Sequence, residues 1–269
     1  MERPRLVVSD VDGTLLDPTE RISERTRAVV RRVVEAGVPF VLATGRPPRW
    51  ISPITAQLGH ADLTICANGA VLYDAAADRV IEAVTLDTVM LCEAVDAVAT
   101  ALPAAKLGVE RAGSAAVDGA HQFLAEPGYT HPWPGGDAET APRDELLDRP
   151  ATKLLARQAG ASSDAMARAV AQIVGDAVGV TFSTGQGLIE ICAPGVTKGT
   201  GLAVVAWQLG IEAADVIAIG DMPNDLPMLH WAGCGVAMAN AHPAVLDAAD
   251  EVTAPNTEDG LALVLERWF

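Results

Sequence analysis

Residues 6–15 of the chain read Leu-Val-Val-Ser-Asp-Val-Asp-Gly-Thr-Leu. The apolar residues that open this stretch predict a short buried strand, because strands covered on both faces read as continuous apolar runs. Two carboxylates, Asp10 and Asp12, follow where the strand ends, and a glycine and a threonine then turn the chain. Open α/β sheets bind their ligands at the carboxyl ends of their strands, so this stretch predicts both a fold class and a site.

Strands and helices alternate on either side of this stretch. Apolar runs predict further strands over residues 38–43, 63–67, 216–219 and 235–238, and helical patterns predict helices over residues 23–36, 197–209, 226–231 and 258–268. Such alternation is typical of a parallel sheet whose crossover helices cover its faces. We therefore expect an α/β fold built on a doubly wound, Rossmann-like parallel sheet.

A long insert interrupts this alternation near residue 84. Within it the sequence predicts helices over residues 86–101 and 163–174, strands over 105–109 and 152–157, a Gly/Pro-rich loop over 126–142 and a hairpin joining 178–182 to 188–192. A mixture of this kind is typical of an α+β domain. The expected organisation is a core domain of residues 1–83 and 188–269 with an inserted α+β domain of residues 84–187.

The composition excludes several classes of protein. Among 269 residues, 50% are hydrophobic, and 35 acidic against 19 basic residues leave a formal charge of −16. This balance predicts a folded chain that binds neither nucleic acid nor an anionic membrane, because both would be repelled. The cysteines are scattered, and no apolar run approaches the roughly 18 residues of a membrane span. We therefore expect a cytoplasmic monomer or small homo-oligomer with free thiols.

The paired carboxylates that follow the first strand predict a metal site. Two acidic groups this close repel each other unless a cation lies between them or one keeps a proton. Residues 220–225, Gly-Asp-Met-Pro-Asn-Asp, follow another predicted strand of the same sheet and add Asp221 and Asp225. Because Mg²⁺ prefers oxygen ligands, we predict that Asp10, the backbone carbonyl of Asp12 and Asp221 bind Mg²⁺. Either segment alone also fits an ordinary solvated turn.

Two further positions predict binding of a phosphoryl group. Thr44 and Gly45 follow the strand over 38–43, and they offer a hydroxyl and backbone N–H groups. The chain has only three lysines, and Lys198 lies at the start of a predicted helix, where Gly199 allows close approach. A compact ammonium at this place can neutralise a phosphoryl oxygen. A loop threonine and an exposed lysine are the structural alternatives.

In chain order the motifs are Asp-x-Asp-Gly-Thr-Leu from Asp10, Thr-Gly-Arg from Thr44, Lys198, and Gly-Asp-x-x-Asn-Asp from Gly220. This series resembles the four motifs of the haloacid dehalogenase superfamily of phosphatases. The insert between the second and third motifs resembles the type-two cap of the Cof-type sugar-phosphatase group, and Asn68-Gly69-Ala70 also fits that group. The similarity extends from Leu6 to the C-terminal helix.

The resemblance implies a Mg²⁺-dependent phosphomonoesterase for a small phosphorylated metabolite, such as a sugar phosphate or a cofactor precursor. Asp10 would attack the phosphorus and form an aspartyl-phosphate, and Asp12 would act as general acid and then as general base. The groups that would hold the transferring oxygens are the backbone around Val11, Thr44, Gly45, Lys198 and Asn224. Asp225 would orient the lysine or a metal-bound water. Arg46 and Asn68 would contact substrate or serve only the structure of their loops.

Two other functions use similar residues. A sugar phosphomutase would need a bisphosphate activator and slow hydrolysis of the aspartyl-phosphate. A phosphate-accepting signalling module also combines acidic residues, threonine and lysine on an α/β sheet, but it has no use for Asp12 or for the insert. Glu190, on the strand that returns from the insert, is either a further site residue or a structural one. The sequence does not identify the substrate.

Overall fold

The computed structural model describes residues 2–118, 122–133 and 139–269. The chain forms two compact units within these ranges. The first comprises the residues up to Ile81 together with Thr197–Phe269, and the second comprises Glu82–Val196. No helix in the described ranges is both long and apolar enough to cross a membrane.

The described part of the chain contains nine α-helices and fourteen β-strands. The helices are α1 (Glu24–Glu35), α2 (Ser52–Leu58), α3 (Thr88–Ala101), α4 (Arg143–Leu147), α5 (Ser163–Val174), α6 (Lys198–Leu209), α7 (Leu226–Trp231), α8 (Pro243–Ala248) and α9 (Gly260–Leu265). The strands are β1 (Leu6–Ser9), β2 (Phe40–Ala43), β3 (Leu63–Cys66), β4 (Val71–Asp74), β5 (Arg79–Ala83), β6 (Lys106–Glu110), β7 (Phe123–Ala125), β8 (Glu139–Thr140), β9 (Lys153–Arg157), β10 (Gly179–Thr181), β11 (Leu188–Cys192), β12 (Val216–Gly220), β13 (Cys234–Ala237) and β14 (Glu251–Val252).

The first unit is built on a sheet with the strand order β14-β13-β12-β1-β2-β3-β4-β5. The pairs from β14 through β3 are parallel, whereas β3 and β4 are antiparallel. The register places Ser9 of β1 beside Leu42 of β2 on one side and Ile219 of β12 on the other. The carboxyl ends of these parallel strands therefore lie side by side, which confirms the predicted α/β fold with a parallel sheet.

The central strand of this sheet is buried on both faces, as its apolar sequence predicts. Leu6 and Val8 of β1 pack in one cluster with Leu202 and Val205 of α6, and Val7, which points to the opposite face, is also fully buried. Helix α6 thus rests on the strand that carries the first acidic motif. This packing holds the ends of β1 and α6 in fixed positions.

The second unit combines a six-stranded sheet, in the order β10-β11-β9-β6-β7-β8, with α3, α4 and α5. Its neighbouring strands are antiparallel, except for the parallel pair of β7 and β8. One hydrophobic cluster joins the sheet to its helices; members from each include Val109, Leu154, Ile189, Leu91 and Val170. The unit therefore has a core of its own.

The boundary expected at residue 188 is corrected by the strand pairing. Strand β11 begins there, but it pairs with β10 and β9 of the second unit, so the chain returns to the first unit only at Thr197. The sequence predicted a hairpin of these two strands, β10 and β11. The expected boundary at residue 188 lay between them and so divided two strands that are hydrogen-bonded to each other. Of the loop expected over 126–142, residues 134–138 lie outside the described residues, and β8 follows them directly.

Candidate active site

Four loops and one helix start carry the residues that the sequence singles out. Asp10, Val11 and Asp12 follow β1; Thr44, Gly45 and Arg46 follow β2; Asn68 follows β3; Asp221, Asn224 and Asp225 follow β12; and Lys198 begins α6. Because β12, β1, β2 and β3 are parallel neighbours, their loops meet at one edge of the sheet.

A buried ion-pair network lies at the centre of this edge. Lys198 Nζ donates to Asp10 Oδ1 at 2.5 Å and to Asp225 Oδ1 at 2.6 Å, and the lysine side chain has no exposed surface. Burial disfavours its charge, but the two carboxylates outweigh burial and hold the pKa of Lys198 above its usual value. The lysine is therefore an ammonium, and it has one N–H donor beyond these two.

Asp225 is engaged entirely by the protein. Its Oδ1 accepts from Lys198, and its Oδ2 accepts from the backbone N–H groups of Asp221 and Met222, both at 2.9 Å. The side chain is fully buried. Asp225 therefore fixes the lysine and the loop after β12.

The charges at this edge of the sheet fit a divalent cation. Asp10, Asp221 and Asp225 offer oxygen atoms within 4.8 Å of one another, and the ammonium of Lys198 balances one of the three charges. Burial and the charge of Asp225 raise the pKa of Asp10 well above its ordinary value, and the same two causes raise the pKa of Asp221 to about 7. A divalent cation would relieve this repulsion and keep both carboxylates ionised.

An unsatisfied acceptor next to Asp225 also fits a hydrated cation. Asn224 Nδ2 donates to Asn68 Oδ1 at 3.0 Å, whereas Asn224 Oδ1 is buried without a hydrogen-bond partner among the described residues. A buried carbonyl oxygen of this kind calls for a donor. Mg²⁺ usually keeps several waters, which are such donors. The oxygen therefore suits a metal-bound water, whereas the second N–H of Asn224 Nδ2 can donate to a phosphoryl oxygen, the role that stays a prediction for this residue.

The ends of β2 and β3 are tied to each other. The hydroxyl oxygen of Thr44 accepts from the backbone N–H of Arg46 at 3.0 Å. The backbone carbonyl of Thr44 accepts from the N–H of Asn68, also at 3.0 Å. The Thr44 hydroxyl hydrogen can therefore donate to a ligand, and Gly45 lies on the same loop. Val11 is fully buried, and its carbonyl accepts within the following turn. Its remaining backbone group is an N–H, which is the donor a phosphoryl oxygen needs.

The turn after β3 has an unusual backbone. Ala67, Asn68 and Gly69 have φ angles of 50°, 59° and 99°. For the two residues with side chains, this left-handed conformation costs roughly 1–2 kcal/mol each. A Cβ atom at Gly69 would collide with the carbonyl oxygen of Thr197, which precedes Lys198. The glycine therefore permits the close approach of this turn to the start of α6.

Arg46 binds Asp12 and gives that carboxylate a defined orientation. Arg46 Nε donates to Asp12 Oδ2 at 2.9 Å, and Nη2 donates to Oδ1 at 2.5 Å and to Glu20 Oε1 at 3.2 Å. The side chain of Arg46 is 16% exposed and that of Asp12 51%. A bidentate pair of this kind fixes both the position and the plane of a carboxylate. The sequence predicted a substrate contact or a loop role for Arg46 and did not anticipate this pair.

Thr14, which the sequence predicts only as part of a turn, contacts an acidic residue of the site. Its hydroxyl donates to Asp221 Oδ1 at 2.9 Å and so links the loop after β1 to the loop after β12. The signal in the sequence that could have identified Thr14 is its position as a polar residue inside an acidic motif.

Glu190 lies in the second unit, where its carboxylate accepts from Lys153 Nζ at 3.2 Å and from Ser183 Oγ at 2.6 Å.

The chain matches a family model described as haloacid dehalogenase-like hydrolase over residues 7–265. It is 28% identical over 273 residues to 5-amino-6-(5-phospho-D-ribitylamino)uracil phosphatase YitU of Bacillus subtilis, covering 99% of this chain and 98% of that protein. It is 28% identical over 277 residues to pyridoxal phosphate phosphatase YbhA of Escherichia coli, covering 96% of each. A crystal structure of a haloacid dehalogenase-like hydrolase from Bacteroides thetaiotaomicron superposes with a TM-score of 0.76 at 27% identity, covering 99% of this chain and 100% of that one.

Proposed function

The chain belongs to the haloacid dehalogenase-like hydrolase family and is a phosphomonoesterase, and we propose that it dephosphorylates small metabolites through a covalent intermediate on Asp10. The observation that carries the proposal is the buried network of Asp10, Lys198 and Asp225 beside Asp221. It holds one carboxylate oxygen of Asp10 in place and provides the positive charge that an incoming phosphate monoester needs.

In the first step, Asp10 acts as the nucleophile. Its Oδ1 is bound by Lys198, so the second carboxylate oxygen is the one that attacks the phosphorus in line. The bond between phosphorus and the ester oxygen breaks as the acyl phosphate forms. The proton that the departing ester oxygen takes up comes from Asp12, which must be protonated when substrate is bound and must therefore give up its ion pair with Arg46; the alcohol then leaves.

In the second step, water cleaves the acyl phosphate. The Asp12 carboxylate formed in the first step takes a proton from the attacking water, whose oxygen bonds to phosphorus. The bond between phosphorus and the Asp10 oxygen breaks, inorganic phosphate leaves, and both aspartates return to their starting states. The N–H of Val11, the hydroxyl of Thr44 and the third N–H of Lys198 bind the phosphoryl oxygens in both steps.

Asp10, Asp221 and the backbone carbonyl of Asp12 would hold Mg²⁺. The ion supplies positive charge that offsets the repulsion between the anionic nucleophile and the anionic ester. This assignment is supported by the raised pKa values of Asp10 and Asp221 and by Asn224 Oδ1, which is buried without a hydrogen-bond partner among the described residues. Asp225 contributes by orienting Lys198 and the loop that carries Asp221.

The substrate belongs to the small phosphorylated metabolites. The two relatives are named for a phosphorylated ribitylaminouracil and for pyridoxal phosphate, which are both small phosphate monoesters. The cysteines Cys66, Cys92, Cys192 and Cys234 are all free, which supports the expected cytoplasmic location. A panel of phosphate monoesters, with sugar phosphates and cofactor precursors represented, would identify the preferred leaving group.

Removal of the metal is expected to abolish hydrolysis. Purified protein should hydrolyse p-nitrophenyl phosphate with Mg²⁺ and lose activity in excess EDTA, because removal of the cation restores the repulsion among the buried carboxylates. Activity should return when Mg²⁺ is added back. The measurement is the initial rate of p-nitrophenol release. Full activity in EDTA after exhaustive dialysis would contradict the metal assignment.

Gly13→Ala is expected to damage the site far more than Gly37→Ala. Both glycines have positive φ angles, +82° and +76°, so each alanine costs about 1 kcal/mol of stability. A Cβ at Gly13 would collide with the Asp221 carboxylate, whereas nothing lies within 4 Å of one at Gly37. Displacing a catalytic group by about 1 Å can cost on the order of 100-fold in rate. Steady-state kinetics should show that loss in Gly13→Ala alone, and equal rates for the two variants would contradict the argument.

A further inference from the structure

We propose that Asn240 and Asn256 are positioning residues that form a bracket around the loop carrying Asp12. The inference rests on the proposed function, because the bracket acts on the groups assigned there to the metal. Asn240 follows β13 and Asn256 follows β14, which are the last two strands of the sheet beyond β12. Neither of these two strands supplies a carboxylate to the site from its end.

The bracket consists of three hydrogen bonds. Asn240 Nδ2 donates to the carbonyl oxygen of Gly13 at 2.9 Å, and Asn256 Nδ2 donates to the carbonyl oxygen of Leu16 at 2.7 Å. The two asparagines are joined because the N–H of Asn256 donates to Asn240 Oδ1 at 2.9 Å. Each amide therefore holds one backbone carbonyl of the same short loop, and each depends on the other for its own position.

The bracket acts where packing is weakest in this loop, at Gly13. Leu15 and Leu16 are buried, but Gly13 has no side chain and a positive φ angle of 82°. A cavity of about 280 Å³ is lined by Thr14, Leu15 and Asn256, among others, so packing atoms are missing on that side. Backbone segments with few apolar contacts open easily. Hydrogen bonds from the bracket therefore add to the restraint that the turn and Thr14 already give this loop.

The bracket also reaches the second acidic loop. The segment that holds Asn240 continues to His242, whose backbone N–H donates to the carbonyl oxygen of Asp221 at 2.8 Å. On the other loop, Thr14 donates to Asp221 Oδ1. One segment after β13 therefore sets the spacing between the Gly13 turn and Asp221. Asn240 fixes the orientation of the Gly13 carbonyl. The preceding backbone carbonyl is that of Asp12, which is one of the proposed metal ligands.

The test measures Mg²⁺ binding directly, by isothermal titration calorimetry on protein freed of metal, together with kcat and KM for p-nitrophenyl phosphate. Asn240→Ala and Asn256→Ala should each weaken Mg²⁺ binding and lower kcat by about 3- to 10-fold, with KM unchanged. The double variant should lose little more than one single variant, because the amides act as a unit. Asn256→Gln retains an amide donor and should recover most of the loss.

Thr253→Val is the matched control. Its hydroxyl donates to the carbonyl oxygen of Gly260 at 2.8 Å, so the variant removes a similar bond from the same segment without touching either acidic loop. Binding and rates within twofold of wild type are expected. Alanine variants that bind Mg²⁺ as wild type does, or an equal loss in Thr253→Val, would overturn the bracket. Wild-type protein that neither binds Mg²⁺ nor hydrolyses the ester would instead overturn the proposed function.

Discussion

Asp10→Asn is expected to lower kcat by on the order of 10⁴-fold or more, because removal of a nucleophile eliminates the covalent route. The amide cannot attack phosphorus at a useful rate. Its neighbours Lys198 and Asp225 keep their own contact at 2.6 Å, so the rest of the site is retained. The measurement is kcat with p-nitrophenyl phosphate, supported by the loss of hydroxylamine-labile phosphate on the acid-quenched protein. Residual activity above about 1% would contradict the assignment of Asp10.

The same variant should leave the protein as stable as the wild type, or more stable, in the absence of metal. Three buried carboxylates and one ammonium carry a net charge of −2 when all are ionised, and Asp10→Asn reduces it to −1. Since burial and Asp225 already disfavour the ionised form of Asp10, its neutralisation relieves repulsion. Urea unfolding in EDTA tests this. A variant that is both inactive and several kcal/mol less stable would be a folding defect.

Asp215→Asn is the matched control for this experiment. Asp215 forms an exposed salt bridge with Arg5 at 3.2 Å, and it lies in the same unit as the site. Pairs of this kind contribute about 0–1 kcal/mol. The control should therefore keep its rate and its unfolding midpoint. It shows the effect of an aspartate-to-asparagine change at a position outside the site, where the site geometry is left intact.

The positions of the acidic loops could be predicted from the sequence because they follow from a rule of topology. Polar residues at the ends of buried parallel strands meet at one sheet edge, so Asp10, Thr44 and Asp221 could be grouped before their distances were known. The family resemblance drawn from these motifs is confirmed by the match over residues 7–265. The predicted roles of the individual site residues stay predictions.

Side-chain pairings were beyond the reach of the pattern. Arg46 could have pointed at substrate, but its guanidinium lies against Asp12, and this choice depends on rotamers that strand patterns do not fix. Asn224 is paired through Nδ2 to Asn68, which lies in a different loop. Nothing in the sequence marks Ala67 for a positive φ angle, because alanine has no preference for that conformation. Contacts between loops decide all three features.

Lys198→Met is expected to be the most destabilising change in the site. It removes the ammonium and leaves the carboxylates of Asp10, Asp221 and Asp225 buried together, so the net charge goes from −2 to −3. Removing one partner of a buried ion pair costs about 3–5 kcal/mol, which is a large part of a typical stability of roughly 5–15 kcal/mol. Methionine fills the space of the lysine stem, so the loss reports charge rather than a cavity. Activity should also fall, because the phosphoryl group loses its cation.

The dependence of this loss on pH separates charge from packing. Lys198 lowers the pKa values of Asp10 and Asp221, which burial already raises, so its removal raises both further. Between the ordinary pKa near 3.8 and the raised value, about 7 or above for Asp221, the folded state of the variant binds more protons than the unfolded state. Because both pKa values are raised further in the variant than in the wild type, its deficit in unfolding free energy relative to the wild type should shrink as the pH falls from 8 to 5. Lys106→Met, at an exposed position, should show neither the loss nor the recovery. A Lys198→Met deficit that stays constant over this pH range would show that packing, and not the uncompensated carboxylates, is its cause.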